Sequence, residues 1–464
     1  MGPAIHLLID LGIILILIAG IRLFRAPKGA KWGNLLGALA MACAVGAVLL
    51  RHPLRSPGVV VAAFALGGLA GWIVALRVNM IQIPAMVAFQ HGCGGIAASL
   101  VSYVELARGT GALPVEGRLS GLLGLVLGAA TFSGSMIAAA KLGNRMKQTP
   151  IVLPGHNLIL GAMALAAAGL VAAGGAVSSL PVHAVPAALG AISTALGIIF
   201  AIRIGGADMP VLISFLNATA GFAAALCGVI IQNRLLIACG ATVAASGSIL
   251  THIMCRGMNR GLASVFVGIR RAPSAPSGPP AAAPPPAPAP VSVQNPLDRA
   301  AEILRSAKTV VVIPGYGMAL AQAQFEVVQL ANSLRGKGAD VKFAVHPVAG
   351  RMPGHMHVLL AEAEVDPDLL FEMNQVNNQF KETDLALVVG ACDVVNPSAI
   401  QVQGTPISGM PILMAHEARN VIVCNLDDRP GYSGVQNPLY QEAKTLMLLG
   451  DAKTTMGEIL RRLA

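Results

Sequence analysis

Residues 309–319 read TVVVIPGYGMA, and this stretch decides the fold of the C-terminal part of the chain. β-Branched residues dominate its first half, which is typical of a buried strand. Two glycines, Gly315 and Gly317, follow in front of a helical pattern. A glycine pair at a strand-to-helix turn lets backbone N–H groups and the helix N-terminus approach a phosphate. Because Leu320 takes the place of a third glycine, the stretch predicts either a reduced dinucleotide-binding turn or a plain tight turn.

The same alternation of β-rich and helical runs continues to the C-terminus. The predicted strands are residues 309–313, 341–345, 385–389, 421–424 and 446–449, with helices at 318–334 and from 454 onwards. This alternation predicts an α/β, Rossmann-like parallel sheet covered by helices on both faces. His346 ends the second strand, where an acid would hold the ribose 2′-hydroxyl of NAD. The missing acid favours NADP over NAD.

A Pro/Ala-rich tract precedes this domain. Residues 272–290 read APSAPSGPPAAAPPPAPAP, which cannot form a core and predicts a semi-rigid, extended spacer. We therefore divide the chain into a transmembrane domain at residues 1–262, a linker at 263–292 and an α/β domain at 293–464.

The part before the linker is strongly apolar. The whole chain is 55% hydrophobic and 12% charged, about half the charged fraction of a soluble protein. Nine apolar runs are long enough to span a bilayer as helices. They cover residues 5–23, 32–50, 58–76, 83–103, 119–140, 157–177, 184–202, 209–231 and 234–254. Their many Gly and Ala residues predict a compact α-helical bundle.

The charge distribution follows the topology of a membrane protein. Residues 1–292 carry +14 and residues 293–464 carry −4, which gives the net +10. The positive charges lie between apolar runs, so we exclude nucleic-acid binding. With a cytoplasmic C-terminal domain, thirteen Lys or Arg residues fall in inside loops and five in outside loops, as the positive-inside rule expects. The first run is not a cleaved signal peptide, because it lacks a basic start and leads directly into a second span.

Four segments of the α/β domain carry a specific resemblance. They read HPVAGRMPGHM at 346–356, GACDVVNP at 390–397, GYSGVQNP at 431–438 and GDAK at 450–453. In this order and spacing they resemble the NADP(H)-binding domain of proton-translocating nicotinamide nucleotide transhydrogenases. The nine-span part fits the beta subunit of the same family, so the resemblance covers the whole chain.

The resemblance implies roles for individual residues. The pyrophosphate would lie against Gly315, Tyr316, Gly317, Met318 and Ala319, and the nucleotide along Val348, Ala349, Gly350 and Arg351. The nicotinamide would lie near Gly390, Ala391, Asp393 and Asn396, and residues 431–438, with Gly431 and Tyr432, would form a lid. Asp451 and Ala452 complete the predicted binding residues. Asp393 matches the functional acid of the family and is our predicted catalytic residue. Structural alternatives are a solvated surface arginine for Arg351 and a helix cap for Asp393.

One segment departs from the family. A Lys-Arg-Ser run, which supplies positive charge to the adenosine 2′-phosphate in the family, is replaced here by residues 425–430, NLDDRP. Asn425 is expected to donate a hydrogen bond and Arg429 to supply charge from a shifted position. Two acids stand beside the predicted phosphate, which is unfavourable for NADP unless their side chains point away.

Few polar residues lie in the membrane part, and each is a candidate. His91 lies inside the fourth span, where an imidazole can bind and release protons near neutral pH, with a structural histidine as the alternative. Ser135 and Asn217 match family positions assigned to the proton path, and hydrogen bonding between neighbouring helices is the alternative for both. Asp208 matches a loop at the cytoplasmic face and is predicted to couple the bundle to the nucleotide domain. A helix N-cap is the alternative for Asp208.

The resemblance implies a complete function. This chain would bind NADP(H), and an alpha subunit would carry the NAD(H)-binding domain and further membrane helices. Hydride transfer between NADH and NADP⁺ would be coupled to proton translocation across a bacterial inner membrane, in a dimer of the alpha–beta unit surrounded by lipid. An ion channel or secondary transporter gated by a nucleotide-sensing domain is the competing hypothesis, but broken helices and paired intramembrane charges are not evident in the sequence. No Cys/His spacing predicts a metal site.

Overall fold

The computed structural model describes residues 3–23, 29–52, 54, 56–108, 113–176, 183–267 and 295–463. Most of the predicted linker, residues 263–292, lies outside these ranges. By its contacts the chain divides into two compact units, Met1–Arg203 with Leu212–Ile249, and Ile204–Val211 with Leu250–Ala464.

Nine helices of the described residues are long and apolar enough to cross a membrane, which confirms the predicted spans. They are α1 (Pro3–Leu23), α2 (Ala30–Arg51), α3 (Pro57–Arg77), α4 (Ile83–Ala107), α5 (Val115–Leu142), α6 (His156–Ala176), α7 (Ala184–Ile202), α8 (Met209–Ile230) and α9 (Arg234–Gly257). Arg22, Arg51, Arg77, Lys141 and Arg256 stand in the last turns of their helices, where a cation complements the helix dipole.

Glycines set the close packing of the central helices, as the composition predicts. A Cβ added to Gly128 of α5 would lie 2.6 Å from the carbonyl oxygen of Gly95 in α4. A Cβ on Gly197 of α7 would lie 2.2 Å from the carbonyl oxygen of Ala130 in α5. Both distances are too short for any larger residue, so these backbones pack directly on each other.

An ion pair joins the first two membrane helices. Arg51 at the end of α2 donates to Asp10 of α1 at 2.6 Å and to the carbonyl oxygen of His6 at 3.1 Å. Asp10 is 5% exposed. The pair explains how an acid is accommodated inside an apolar helix, because each charge neutralises the other.

The α/β domain follows a short helix, α10 (Leu262–Val267). Its helices are α11 (Pro296–Ser306), α12 (Tyr316–Leu320), α13 (Gln324–Gly336), α14 (His355–Glu362), α15 (Met373–Val376), α16 (Ser398–Gln401) and α17 (Ala452–Leu463). Its strands are β1 (Thr309–Pro314), β2 (Asp340–Val345), β3 (Leu370–Glu372), β4 (Leu385–Val389), β5 (Asn420–Asn425) and β6 (Thr445–Leu449). Short 3₁₀ helices cover Met80–Gln82, Gly206–Asp208, Pro367–Leu369, Asn377–Glu382, Asp393–Val395, Ala415–Glu417 and Pro438–Gln441.

The six strands form one parallel sheet in the order β3-β2-β1-β4-β5-β6. Ile313, Val388 and Val423 at its centre are fully buried, as expected for strands covered on both faces. The parallel sheet is confirmed. The edge strand β3 was not predicted, since it has only three residues and ends in Glu372.

The predicted helix at 318–334 is two helices in the structure. α12 ends at Leu320 and α13 begins at Gln324. Gln322 between them has a φ of 54°, in the left-handed region. This local turn ends the first helix and lets the chain change direction before α13.

Candidate functional site

The glycine pair of the opening motif packs against the turn that follows β4. Gly315 N donates to Val389 O at 2.8 Å and Gly317 N to Gly390 O at 2.8 Å. A Cβ on Gly315 would lie 2.2 Å from Gly390 O, and a Cβ on Gly390, whose φ is +68°, would lie 2.1 Å from Met318 N. The glycines therefore allow two backbone turns to cross at the carboxyl edge of the sheet.

This crossing lies at the point where the strand order reverses, between β1 and β4. In open parallel sheets, ligands bind at this switch point, outside the carboxyl ends of the strands. Met318 and Ala319 are buried, so their side chains are not exposed to a ligand. Of the predicted cradle, the amides of Gly315 and Gly317 are already donors to the β4 turn.

Arg351 is held between two tyrosine rings. Its guanidinium carbon lies 4.3 Å from the centre of the Tyr316 ring and 4.6 Å from that of Tyr432. Arg351 is 5% exposed, whereas Tyr432 is 51% exposed. The structure thus brings together three predicted residues from separate segments, one of them from the predicted lid. Stacking between two aromatic rings fixes the orientation of the buried guanidinium.

The loop before Arg351 is shaped by a histidine that was not among the predicted site residues. Gly350 has a φ of +105°, and its added Cβ would lie 2.6 Å from the Cβ of His355. Arg351 N donates to His355 Nδ1 at 3.1 Å. Burial, aided by the charge of Arg351, lowers the pKa of His355 to about 4, so the ring is neutral. Ala349 is buried and Val348 half-buried in the same loop.

His355 has one further feature that fits a ligand. Because Nδ1 accepts a hydrogen bond from Arg351 N, Nε2 carries the N–H of the neutral ring. That Nε2 is buried and has no hydrogen-bond partner among the described residues. A buried donor without a partner is costly, and a bound polar group would satisfy it.

His346, at the end of β2, has both ring nitrogens in hydrogen bonds to backbone groups. It is 1% exposed, its Nε2 lies 2.8 Å from Pro411 O, and its Nδ1 accepts from Val348 N at 3.3 Å. Burial lowers its pKa to about 4. The neutral ring with a protonated Nε2 satisfies both contacts.

Asp393 is bonded to the predicted lid. Its carboxylate accepts from Ser433 Oγ at 2.6 Å and from Ser433 N at 3.0 Å. Burial raises the pKa of Asp393 above its usual value, against these two hydrogen bonds, which lower it. A Cβ on Gly431 would lie 2.8 Å from the same carboxylate. Gly431 thus lets the lid pass close to the acid.

Two asparagines extend this connection. Asn396 Nδ2 donates to Gln436 O at 3.2 Å and to Val435 O at 3.4 Å. Asn437 Nδ2 donates to Cys392 O at 3.1 Å. Together with Asp393, these side chains attach residues 431–438 to the loop after β4.

Asn425 also bonds to the loop after β4. Its Nδ2 donates to Ala391 O at 3.1 Å and lies 2.8 Å from the hydroxyl of Tyr440, which reaches Ala391 O at 3.3 Å. Sequence reasoning missed Tyr440, Ser433 and Asn437 because each acts through a partner about 15 to 45 residues away. The signal for Ser433 and Asn437 was their position within the quoted GYSGVQNP segment.

In the segment that departs from the family, residues 426–430 are exposed. Arg429 N donates to Asp427 Oδ1 at 3.1 Å, and Arg429 Nε lies 3.9 Å from Asp427 Oδ2. The side chain of Arg429 is 84% exposed. Arg429 is therefore next to an acid of its own turn rather than in a buried site.

Asp451 caps α17. Its Oδ1 accepts from Thr454 N at 2.9 Å and from Thr454 Oγ1 at 3.0 Å, and these bonds lower its pKa. Ala452 is buried at the start of this helix. The loop after β6 stays close to the β5 end, because Gly450 N donates to Asn425 O at 2.9 Å.

The predicted proton-path residues lie on three neighbouring helices. A Cβ on Gly92, next to His91 in α4, would lie 3.2 Å from the Cβ of Ser135 in α5. A Cβ on Gly134 would lie 3.3 Å from Leu216, next to Asn217 in α8. The Nδ1 of His91 and the Oγ of Ser135 are buried and have no hydrogen-bond partner among the described residues.

Two further polar features of this bundle were missed from the sequence. Thr131 Oγ1 donates to Thr219 Oγ1 at 2.9 Å, which joins α5 to α8 one turn from Ser135. Lys141, assigned to a loop from the sequence, is a buried residue of α5 whose Nζ donates to Ile202 O at 2.6 Å at the end of α7. A cation there satisfies terminal carbonyls of the helix.

Asp208 forms a two-point ion pair with Arg260. Both carboxylate oxygens lie 2.7 Å from Arg260 Nη1. Burial raises the pKa of Asp208, against the opposing effect of Arg260. The neighbouring Asn259 donates to Ser408 O at 3.1 Å, so the same turn contacts the α/β domain within the second unit.

Fold and site define a class: a polytopic membrane protein that carries a parallel-sheet domain of the dinucleotide-binding type. The glycine crossing, the stacked Arg351 and the unpartnered His355 Nε2 fit a nucleotide at the sheet edge. Among the described residues, no cluster of His, Cys, Asp or Glu could hold a metal ion.

Comparison with known proteins makes the class specific. The family described as the NAD(P) transhydrogenase beta subunit matches residues 7–462. A relative named NAD(P) transhydrogenase subunit beta, from Rhodospirillum rubrum, is 39% identical over 457 residues, covering 97% of both chains. A second relative of that name, from a specified strain of the same species, matches equally. This chain belongs to the NAD(P) transhydrogenase beta subunit family, and its role is that of an oxidoreductase subunit in a membrane complex.

Proposed function

We propose that this chain binds NADP(H) at the carboxyl edge of its sheet and couples hydride exchange with NAD(H) to proton translocation. The observation that carries the proposal is the glycine crossing at the β1–β4 switch point, with Arg351 stacked beside it. Family membership implies nicotinamide nucleotides as ligands. The bound nucleotides supply the hydride chemistry, while this chain supplies orientation and gating.

In this proposal the nucleotide is bound by side chains at the carboxyl edge of the sheet. Arg351 contributes a positive charge oriented by Tyr316 and Tyr432, suited to a phosphate. The Nε2 of His355 contributes a further donor. Because no protein nucleophile or general base is needed for direct hydride transfer, Asp393 acts here through the lid to which it is bonded.

Gating rests on the attachment of residues 431–438. Asp393 and Asn396 hold this segment through hydrogen bonds. Breaking them would open the edge and allow nucleotide exchange, while restoring them would exclude water during the reaction. We propose these two states as the occluded and exchanging forms.

Coupling requires that protonation favours one of these states. His91, with Ser135 and Asn217 on the adjoining helices, is the proposed proton-binding site. Asp208, through Arg260 and the adjacent contact of Asn259 with Ser408, is the proposed link to the nucleotide domain.

The partner would be an alpha subunit that carries the NAD(H) site and further membrane helices. We propose a dimer of this alpha–beta unit in a bacterial inner membrane, with the α/β domain cytoplasmic.

Hydride transfer tests the proposal. Membranes that contain this chain with its alpha subunit should reduce a thionicotinamide analogue of NADP⁺ with NADH, as followed by absorbance. Arg351→Ala should lower the rate about tenfold or more, since it removes a charge-assisted phosphate contact. The matched control is Asp366→Asn. Asp366 precedes β3 at the amino ends of the strands, away from the proposed site, so this variant should retain the rate. Absence of transfer would favour the nucleotide-gated channel instead.

A further inference from the structure

The residues that follow β5 at the carboxyl edge of the sheet affect which nucleotide the site prefers. A dinucleotide at the switch point of a 3-2-1-4-5-6 sheet lies across two similar halves, β1 to β3 and β4 to β6. In such a half, an acid beyond the second strand accepts the ribose 2′-hydroxyl of NAD, and an arginine nearby accommodates the 2′-phosphate of NADP. The second strands of the two halves are β2 and β5.

The residue that follows β2 serves neither task, and Arg351 in the loop behind it is stacked between Tyr316 and Tyr432 beside the glycine crossing. Both ring nitrogens of His346 are already hydrogen-bonded, Nε2 to Pro411 O and Nδ1 to Val348 N. It is 1% exposed and neutral. A ribose at this end would therefore meet no carboxylate from the last strand position and no positive charge from His346.

The segment after β5 contains both acids and an arginine. Asp427, Asp428 and Arg429 follow its last residue, Asn425, and all three are exposed. Asp427 accepts from Arg429 N, and its second oxygen lies 3.9 Å from Arg429 Nε. The pair partly neutralises the guanidinium, and with Asp428 the segment carries a net charge of −1.

We propose that Asp427 and Asp428 remove the selectivity for the 2′-phosphate, so that this site accepts NAD(H) as well as NADP(H). The carboxylates accept the 2′-hydroxyl of NAD(H), and Arg429 reaches the 2′-phosphate of NADP(H) against the repulsion of two acids. The inference rests on the proposed function, since it requires a nucleotide at this edge.

Equilibrium binding of NAD⁺ and of NADP⁺ to the full-length chain in detergent, measured by calorimetry, tests this. We expect NADP⁺ to bind no more than about tenfold more tightly than NAD⁺, because exposed charges are screened by water and salt. A larger preference for NADP⁺ would overturn the inference while leaving the proposed function intact. If neither nucleotide bound, both would fall.

A charge-neutral variant assigns the effect to these residues. Asp427→Asn with Asp428→Asn keeps the side-chain shape and should shift the ratio of dissociation constants about tenfold towards NADP⁺. Asp366→Asn with Asp368→Asn removes the same charge from the opposite edge and should not change the ratio. An unchanged ratio in the first variant, with the thermal stability of the parent, would overturn the assignment.

Discussion

At the scale of single residues, Gly390 shows how the sheet edge is built. No side chain fits where its Cβ would lie, 2.1 Å from Met318 N, and its φ of +68° strains any other residue. The same close approach brings the turns after β1 and β4 together. The close approach of the two turns at this edge therefore requires glycine, which has no side chain.

We therefore expect Gly390→Ala to lower the free energy of unfolding by roughly 3 kcal/mol, from strain and overpacking together. Gly457→Ala is the matched control. Gly457 lies inside α17 with open space around its Cβ position, so this change should stabilise the helix by about 0.5–1 kcal/mol. Thermal unfolding measures both, and equal stability of Gly390→Ala and the parent would contradict the crossing.

His346 and His355 give the α/β domain a dependence on acid. Their pKa values of about 4 in the folded state lie below the value of 6.5 for a free histidine. The unfolded chain therefore takes up protons first as the pH falls. The contribution of the two histidines to the free energy of unfolding is fully present above pH 6.5. It declines between pH 6.5 and 4, by up to about 1.4 kcal/mol per pH unit for each histidine.

His346→Gln should make this decline shallower, because the amide can donate to Pro411 O but does not titrate. Midpoints of thermal unfolding at pH 7.5 and 5.5 provide the measurement. The same loss on acidification in the parent and in the variant would show that His346 does not contribute.

At the scale of elements, residues 431–438 form a segment attached by side chains. Its connections come from Asp393, Asn396 and Asn437, and its Tyr432 covers Arg351. Few changes are needed to release such a segment, which suits a gate.

Asp393→Asn should speed nucleotide release about tenfold, because it removes the charge from two hydrogen bonds to Ser433. Stopped-flow displacement of bound nucleotide from the full-length chain measures this rate. Asp384→Asn provides the control. That carboxylate accepts from Lys308 N and Thr309 N at the amino end of β4, so its loss should reduce stability without changing release. An unchanged rate in Asp393→Asn would argue against the lid.

At the scale of the whole molecule, much of the architecture was readable from the sequence. The nine spans follow from hydropathy, and five of the six strands from short apolar runs, four of which contain Val or Ile. The strand β3 is too short for such a pattern, and the left-handed turn at Gln322 that divides α12 from α13 leaves no sequence signal of its own.

The candidate site was predicted in part. Parallel strands bring their carboxyl ends to one edge, so the loops containing Gly315, Gly390 and Arg351 could be grouped in advance. Their partners could not, because the stack on Arg351 and the contact of Tyr440 with Asn425 join distant positions of the chain. The roles predicted for these residues remain to be measured.

We propose above that hydride exchange on this subunit is coupled to proton movement across the membrane. The direct measurement is the internal pH of sealed vesicles containing the chain and its alpha subunit, recorded with a pH-sensitive dye while NADH and NADP⁺ react. We expect a pH change that accompanies hydride transfer and is lost in His91→Ala. Hydride transfer in sealed vesicles without any change in internal pH would contradict it.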